Sequence, residues 1–275
     1  MTATSRSNVR RNDGPGGRFY DTPDGSFPSV TTILGVVMKP ALIPWAAKLE
    51  RDLVSEAAAN LYADAFGAPQ MERPAYLLTL QNRIGRERAH ARELRKAADI
   101  GSETHAMIEH HLRGMLYASP GPPPRISERA LWSFMVFVDW AKRVDLKPIL
   151  IEQTVWSRTF GYAGTLDLLC EVDGRRAVVD WKTGRRVYQE AHLQNSAYRR
   201  ALDEMGHAGD GELGGYIVRL PKDEQDPDPE AVAAKDEATC FDAFLAAKKL
   251  WEWSRRVEAE NTNRGHSYAG TDDST

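Results

Sequence analysis

Apolar positions recur with helical spacing over residues 45–66 and 75–115. A boundary is expected around 67–74 and a break at Gly85 or Gly101. Residues 126–143 (ISERALWSFMVFVDWAKR) predict a strongly apolar helix with Ser127 as its N-cap. The period then drops to two. Residues 149–156, 166–172 and 176–181 read as strands, helical spacing returns at 189–205, and 214–220 is a further strand. An acidic, proline-containing stretch at 221–236 reads as a loop before a last helix at 238–260. Ahead of the helices, 18–20 reads as a strand and 30–34 as a strand or helix start, with an Asp24-Gly25 turn between them. Residues 1–17 lack periodicity and read as a flexible arm, and 261–275 as a disordered tail. The order is helices, a compact β-meander, then helix, strand, helix. It predicts an α/β fold, a central mixed sheet flanked by helices, in one domain over 18–260: a mainly helical N-terminal part (18–145) and an α/β core (146–260).

Composition narrows the function classes. The 275 residues are 42% hydrophobic and 27% charged, the balance of a soluble globular chain with a sizeable core. Mean hydropathy is −0.49, and no stretch approaches the ~18 consecutive apolar residues that a membrane-spanning helix needs. Two cysteines, Cys170 and Cys240, exclude a disulfide framework and a four-cysteine zinc or iron–sulfur site. The first seventeen residues hold no apolar segment of the secretory kind, so an intracellular, cytoplasmic location is expected. With 36 basic and 39 acidic residues the net charge is −3, which does not advertise nucleic-acid binding. Local clusters differ: Arg83, Arg86, Arg88, Arg92, Arg95 and Lys96 crowd one segment, and Lys182, Arg185 and Arg186 another.

The most informative stretch is a hairpin. Asp173-Gly174 separates two β-rich runs, the strongest short-range hairpin signal. With that pair at the turn centre, Val172 faces Arg175, Cys170 faces Ala177, and Asp167 faces Asp180. Their Cβ atoms would then lie about 4.5–5.5 Å apart. Lys182, two residues beyond Asp180, projects from the same face. Like charges held opposite each other destabilise a hairpin unless a shared proton, a basic neighbour or a cation compensates. Paired carboxylates suit the hard ions Mg²⁺ and Mn²⁺, and an ammonium beside them can position or activate water and stabilise charge on a phosphate. The chemistry indicated is metal-assisted phosphodiester hydrolysis. A surface ion pair is the plainer account of these residues, and further elements weigh against it.

Gly164-Thr165-Leu166-Asp167, Asp180-Trp181-Lys182-Thr183, the pair Gln194 and Tyr198, and Gly101 with His105 upstream follow one another in order over 101–198. Together they resemble the RecB-like exonuclease branch of the PD-(D/E)XK nuclease superfamily, of phage and CRISPR-associated type. The segment FPSVTTIL at 27–34 is similar to the N-terminal region of phage and mitochondrial members. Leu166 stands where the superfamily name has proline. The resemblance implies metal binding by His105, Asp167, Asp180 and the Trp181 carbonyl to Mg²⁺ or Mn²⁺, without an iron–sulfur cluster. It implies a catalytic Lys182, with Gln194 and Tyr198 supporting the substrate. DNA, as single strands or ends, is the implied substrate, and replication or recombination proteins the implied partners, in a bacterial or phage-infected cell. A non-catalytic DNA-binding scaffold and a structure-specific endonuclease of the same fold are the alternatives.

Other residues carry weaker signals. Thr183, Arg185 and Arg186 follow Lys182 and are credible backbone contacts for nucleic acid. Ser29 and Thr31 can act likewise or simply cap a helix. Glu152, on the strand before Asp167, can bind metal or sit at the solvent edge with equal ease. The string around His105, Glu109 and His110 superficially matches a zinc-protease signature but is one residue too long, so 105 and 110 diverge by about 140° on a helix. Trp132, Phe134, Phe137 and Trp140 read as core, or as stacking platforms for bases.

Overall fold

The computed structural model describes residues 9–64, 72–117, 119–209, 211–223, 225 and 229–268, with side chains as far as residue 262. Three strands open the chain, β1 (Arg10–Gly14), β2 (Gly17–Thr22) and β3 (Gly25–Pro28), paired as an antiparallel meander. A single helical turn, α1 (Val30–Ile33), follows with Ser29 as N-cap, and runs into a 3₁₀ turn at Leu34–Val36. Next come α2 (Leu42–Asp64), α3 (Arg73–Ile84), α4 (Ala89–Leu116) and α5 (Glu128–Arg143). The main sheet is built from β4 (Lys147–Ser157), β5 (Tyr162–Val172), β6 (Arg175–Lys182), β7 (Gly214–Arg219) and β8 (Glu230–Ala233), in that spatial order. All pairings in it are antiparallel except β6–β7. A parallel pair needs a crossover, and α6 (Gln189–Glu204) supplies it. The last helix is α7 (Glu237–Tyr268).

The chain divides into two compact units, Met1–Val37 with Glu103–Thr275, and Met38–Ser102. One boundary falls in the loop at Val37–Met38 and the other inside α4. The smaller unit holds α2, α3 and the first half of α4, with Ala57, Leu61 and Ala89 buried and a Glu50–His90 contact of 2.7 Å. The larger unit holds both sheets. Its core lies in two layers, one on each face of the main sheet, because neighbours along β6 alternate between them. Val178 joins Tyr162, Leu166, Tyr198, Leu202, Phe241 and Phe244 in one layer. Ala177, Val179 and Trp181 join Ile108, Leu112, Phe137 and Trp140 in the other. The mixed sheet with helices over both faces is the α/β architecture expected.

The structure corrects several boundaries. The break in the long helical segment is at Gly85, whose φ of +75° suits glycine and whose N–H bonds Gln81 O; Gly101 is absorbed inside α4. The arm is structured from β1 onward, and residues 1–8 lie outside the described residues. Strand β1 escapes the period-two test because it is an edge strand with polar residues on both sides. The loop at 221–236 contains the short edge strand β8, with 224 and 226–228 outside the described residues. Helix α7 continues past 260 to Tyr268, and 269–275 are not described. Of the expected boundary at 67–74, residues 67–71 are not described, and α3 begins at Arg73.

Candidate active site

The site is built where β4, β5 and β6 lie side by side. At the β5–β6 turn, Asp173 and Gly174 both have positive φ (49° and 75°), as a tight hairpin turn matched to strand twist requires. The register that follows is Val172↔Arg175 through Leu168↔Val179, as the turn predicts. One step further the ladder stops. Instead of pairing main chain to main chain, Trp181 N–H donates to Asp167 Oδ2 at 3.0 Å. The carboxylate thus replaces a ladder partner and is fixed by the strand it faces.

Strand β4 is irregular at the matching place. Ile151↔Leu168 and Gln153↔Leu166 are paired, and Glu152, opposite Asp167, has a left-handed φ of 47°. Side-chain alternation changes phase there in both strands. Leu166 packs in one core layer and Leu168 in the other, and Ile151 and Val155 differ in the same way. A non-glycine residue in the left-handed region costs about 1–3 kcal/mol and persists only where its surroundings enforce it. Here the distortion brings the Glu152 carboxylate to Asp167. Ligand atoms of His105, Glu152 and Asp167 all lie within 4.8 Å of one another, with His105 Nδ1 3.7 Å from Asp167 Oδ1.

Asp180 lies outside that group of three but acts on it. It is 1% exposed, and its Oδ2 is 2.6 Å from Lys182 Nζ as an ion pair. Among the described residues neither of its oxygens accepts a hydrogen bond of regular geometry. Burial pushes its carboxyl up to about 6, against the pull of Lys182 and with the help of the Asp167 charge. Glu152 is pushed up to about 8, by burial first and then by the charges of Asp167 and Glu109. Burial works against the charge on Lys182, yet Asp180 and Asp167 hold its affinity for the proton above normal. It stays an ammonium.

From Lys182 a hydrogen-bonded chain runs along α6. Nζ donates to Gln194 Oε1 at 3.2 Å, and Gln194 Nε2 donates to Tyr198 Oη at 3.2 Å. The four-residue spacing stacks Gln194 and Tyr198 on one helix face. Burial, then the charges of Asp180 and Asp167, raise the Tyr198 phenol far above its ordinary range, so it keeps its proton. Gly164 makes room for this ring: a Cβ there would sit 2.6 Å from Tyr198 Cε1. The glycine of the Gly164–Asp167 string and the tyrosine of the Gln194–Tyr198 pair are thus two sides of one packing contact. Two residues before Asp167, Thr165 Oγ1 meets Tyr20 Oη of β2 at 3.0 Å.

A cation is the group these residues leave room for. Two carboxylates and an imidazole converge, and among the described residues the neighbouring buried carboxylate of Asp180 accepts no hydrogen bond of regular geometry beside its ion pair with Lys182. That donor set fits a divalent metal ion. His105, Asp167 and Glu152 are therefore brought together, with Asp180 and Lys182 coupled to them electrostatically. Sequence reasoning left Glu152 undecided, and its signal is the backbone distortion, which glutamate does not announce. Glu109 and Arg113 were not singled out for the site, although both bear on Glu152.

The remaining predicted residues fall as follows. The Trp181 indole is buried against Phe137, with ring centroids 5.0 Å apart. Thr183 is half-buried, and Arg185 and Arg186 are exposed, with the Arg186 guanidinium 5.0 Å over the Tyr188 ring. The Ser29 hydroxyl is buried and accepts from Thr32 N at 2.9 Å, so it serves the cap of α1, while Thr31 is exposed beside it. His110 points elsewhere, its Nε2 3.0 Å from Gly121 O, as the helical angle to His105 requires. In α5, Phe137 and Trp140 are core, whereas Trp132 is exposed.

No curated protein matches the chain. A family model does: the PD-(D/E)XK nuclease superfamily matches residues 125–269, more than half of the sequence. The match covers Glu152, Asp167, the Asp180–Lys182 pair and the Gln194–Tyr198 helix; His105 lies before it. With more than half of its length matched, the chain belongs to the PD-(D/E)XK nuclease superfamily.

Proposed function

We propose that this chain is a metal-dependent DNA nuclease of the RecB-like branch, acting as an exonuclease on single strands or ends. Superfamily membership points to metal-dependent nuclease activity. The observation that carries the reading further is the convergence of His105, Glu152 and Asp167 next to the Asp180–Lys182 ion pair. His105, Asp167, Asp180 and the Trp181 carbonyl, with Glu152 added, would hold one or two Mg²⁺ or Mn²⁺ ions. Such an ion polarises the phosphoryl oxygen and neutralises charge that develops on it.

The chain's own groups do the rest. Lys182, kept protonated, donates from Nζ to a phosphate oxygen or to the attacking water and offsets negative charge. Gln194 fixes the direction of that ammonium, and its amide is itself oriented by Tyr198. Tyr198 retains its own hydroxyl proton as a donor toward substrate. Thr183, Arg185, Arg186, Thr31 and Ser29 are proposed backbone contacts, of which Ser29 would act through its cap. A cytoplasmic setting beside replication or recombination proteins of a bacterium or phage suits such an enzyme.

The test uses end-labelled linear single strands, linear duplex, RNA and circular single strands, with Mg²⁺, Mn²⁺ or EDTA. Linear DNA is expected to be degraded with either ion and spared in EDTA, while circles survive. Cut circles would make the chain an endonuclease. No cleavage of any substrate, with DNA still bound, would identify a non-catalytic scaffold instead.

A further inference from the structure

Glu109 and Arg113 follow His105 at four-residue steps along α4, so the three side chains rise on adjoining parts of one helix face. Glu109 Oε1 takes both Arg113 Nε and Arg113 Nη2 at 2.8 Å. Arg113 is 40% exposed, and among the described residues nothing is bonded to its Nη1.

The electrostatic problem of the site is plain. Glu109, Glu152, Asp167 and Asp180 crowd a small region, and a phosphodiester is an anion that such a cluster repels. Lys182 compensates from β6, at Asp180. Arg113 compensates from α4, at Glu109, one helical turn beyond His105. We infer that Arg113 holds a backbone phosphate of the nucleic-acid substrate at the α4 side of the site, an assignment that rests on the nuclease reading above. Its planar fork suits phosphate and still has donors to spend. Its partner Glu109 is one helical turn away and partly exposed, and pairs of this kind contribute little to stability. The guanidinium can therefore be shared with a phosphate, and Glu109 serves to aim it meanwhile.

Counterion release separates a phosphate contact from a structural ion pair. On a Lys182→Ala background with Mg²⁺, which keeps the strand intact, binding of a labelled single-stranded oligonucleotide is followed by anisotropy over about 50 to 200 mM salt. One lost phosphate contact lowers the slope of log affinity against log salt by about 0.7. Arg113→Ala is therefore expected to bind more weakly, with the gap to its parent narrowing about 2.5-fold across that range. Arg113→Lys should keep the parental slope, and Glu109→Gln should bind as well as the parent or better. An unchanged slope in Arg113→Ala overturns the assignment. So does a Glu109→Gln variant that loses as much as Arg113→Ala, because the pair would then be structural. If Arg113→Ala melts early by circular dichroism, Arg113→Gln is read in the same way. A parental slope in Arg113→Ala, while the unmodified chain cleaves DNA, defeats this assignment alone; absence of cleavage by the unmodified chain defeats the nuclease reading itself.

Discussion

Glu152 shows how much one residue can hide. Its left-handed backbone, its burial and its neighbours all follow from a break in β4 that a glutamate in a strand does not signal. Two carboxyls at the site, Glu152 and Asp180, have folded-state pKa values raised above 4.5 and 3.8, to about 8 and about 6. A carboxyl with a raised pKa binds its proton more tightly in the folded chain than in the unfolded one. The associated stability is full below the unfolded value and is lost as pH rises through the folded value. In EDTA the melting temperature is therefore expected to fall from about pH 5 to about pH 8. Glu152→Gln should flatten the upper part of that fall, from about 6 to about 8, and a variant with the wild-type profile would contradict the assignment. Because a cation displaces the Glu152 proton, the gain in melting temperature on adding Mn²⁺ should grow with pH. Further along, Tyr198→Phe removes the acceptor that orients Gln194. A drop of about tenfold in turnover is expected, with a loss of stability of no more than about 1 kcal/mol, the usual worth of one hydrogen bond. Steady-state kinetics with a parallel melt checks it.

At the scale of elements, the β5–β6 hairpin and α6 act as one piece. The hairpin was legible because Asp173-Gly174 dictates both turn type and register, which is kept from Val172↔Arg175 to Leu168↔Val179 and, continued one step, sets Asp167 against Asp180. What the register does not convey is that the ladder ends at that step, with Asp167 taking the Trp181 N–H. Nor does it convey the shift in alternation that turns Asp167 toward His105 on α4. Strand spacing assumes regular pleating, and the site is the place where pleating fails. The contact between Gly164 and Tyr198 ties β5 to α6. Gly164→Ala is expected to displace the buried Tyr198 ring and break the Lys182–Gln194–Tyr198 chain. Cleavage should fall at least as far as in Tyr198→Phe, with the secondary structure by circular dichroism retained. Wild-type activity in Gly164→Ala would show that the ring need not sit where it does.

For the molecule as a whole, the α/β class, the strand sequence and the helix between β6 and β7 follow from hydrophobic periodicity, which burial on both sheet faces imposes. The edges were less legible. Strands β1 and β8 are short, polar and paired on one side, so no apolar alternation marks them. Of the two ends of the unit Met38–Ser102, the first lies in a loop just before Pro40, while the second leaves no compositional trace because it falls within a continuous helix. The family resemblance rested on residues that sheet and helix do bring together, Asp167 with His105 and Asp180 with Lys182. The partner it did not supply, Glu152, emerged from backbone geometry.

The most direct measurement of the central claim compares the unmodified chain with Asp167→Asn on a 5′-labelled single strand under single-turnover conditions, with Mg²⁺ or Mn²⁺, alongside Mn²⁺ binding by calorimetry. Asp167 links His105, Glu152 and the β6 backbone, and asparagine keeps its shape while removing its charge. Loss of Mn²⁺ binding together with a fall in cleavage of roughly 10²-fold or more is expected. Mn²⁺ binding and cleavage equal to those of the unmodified chain would contradict it.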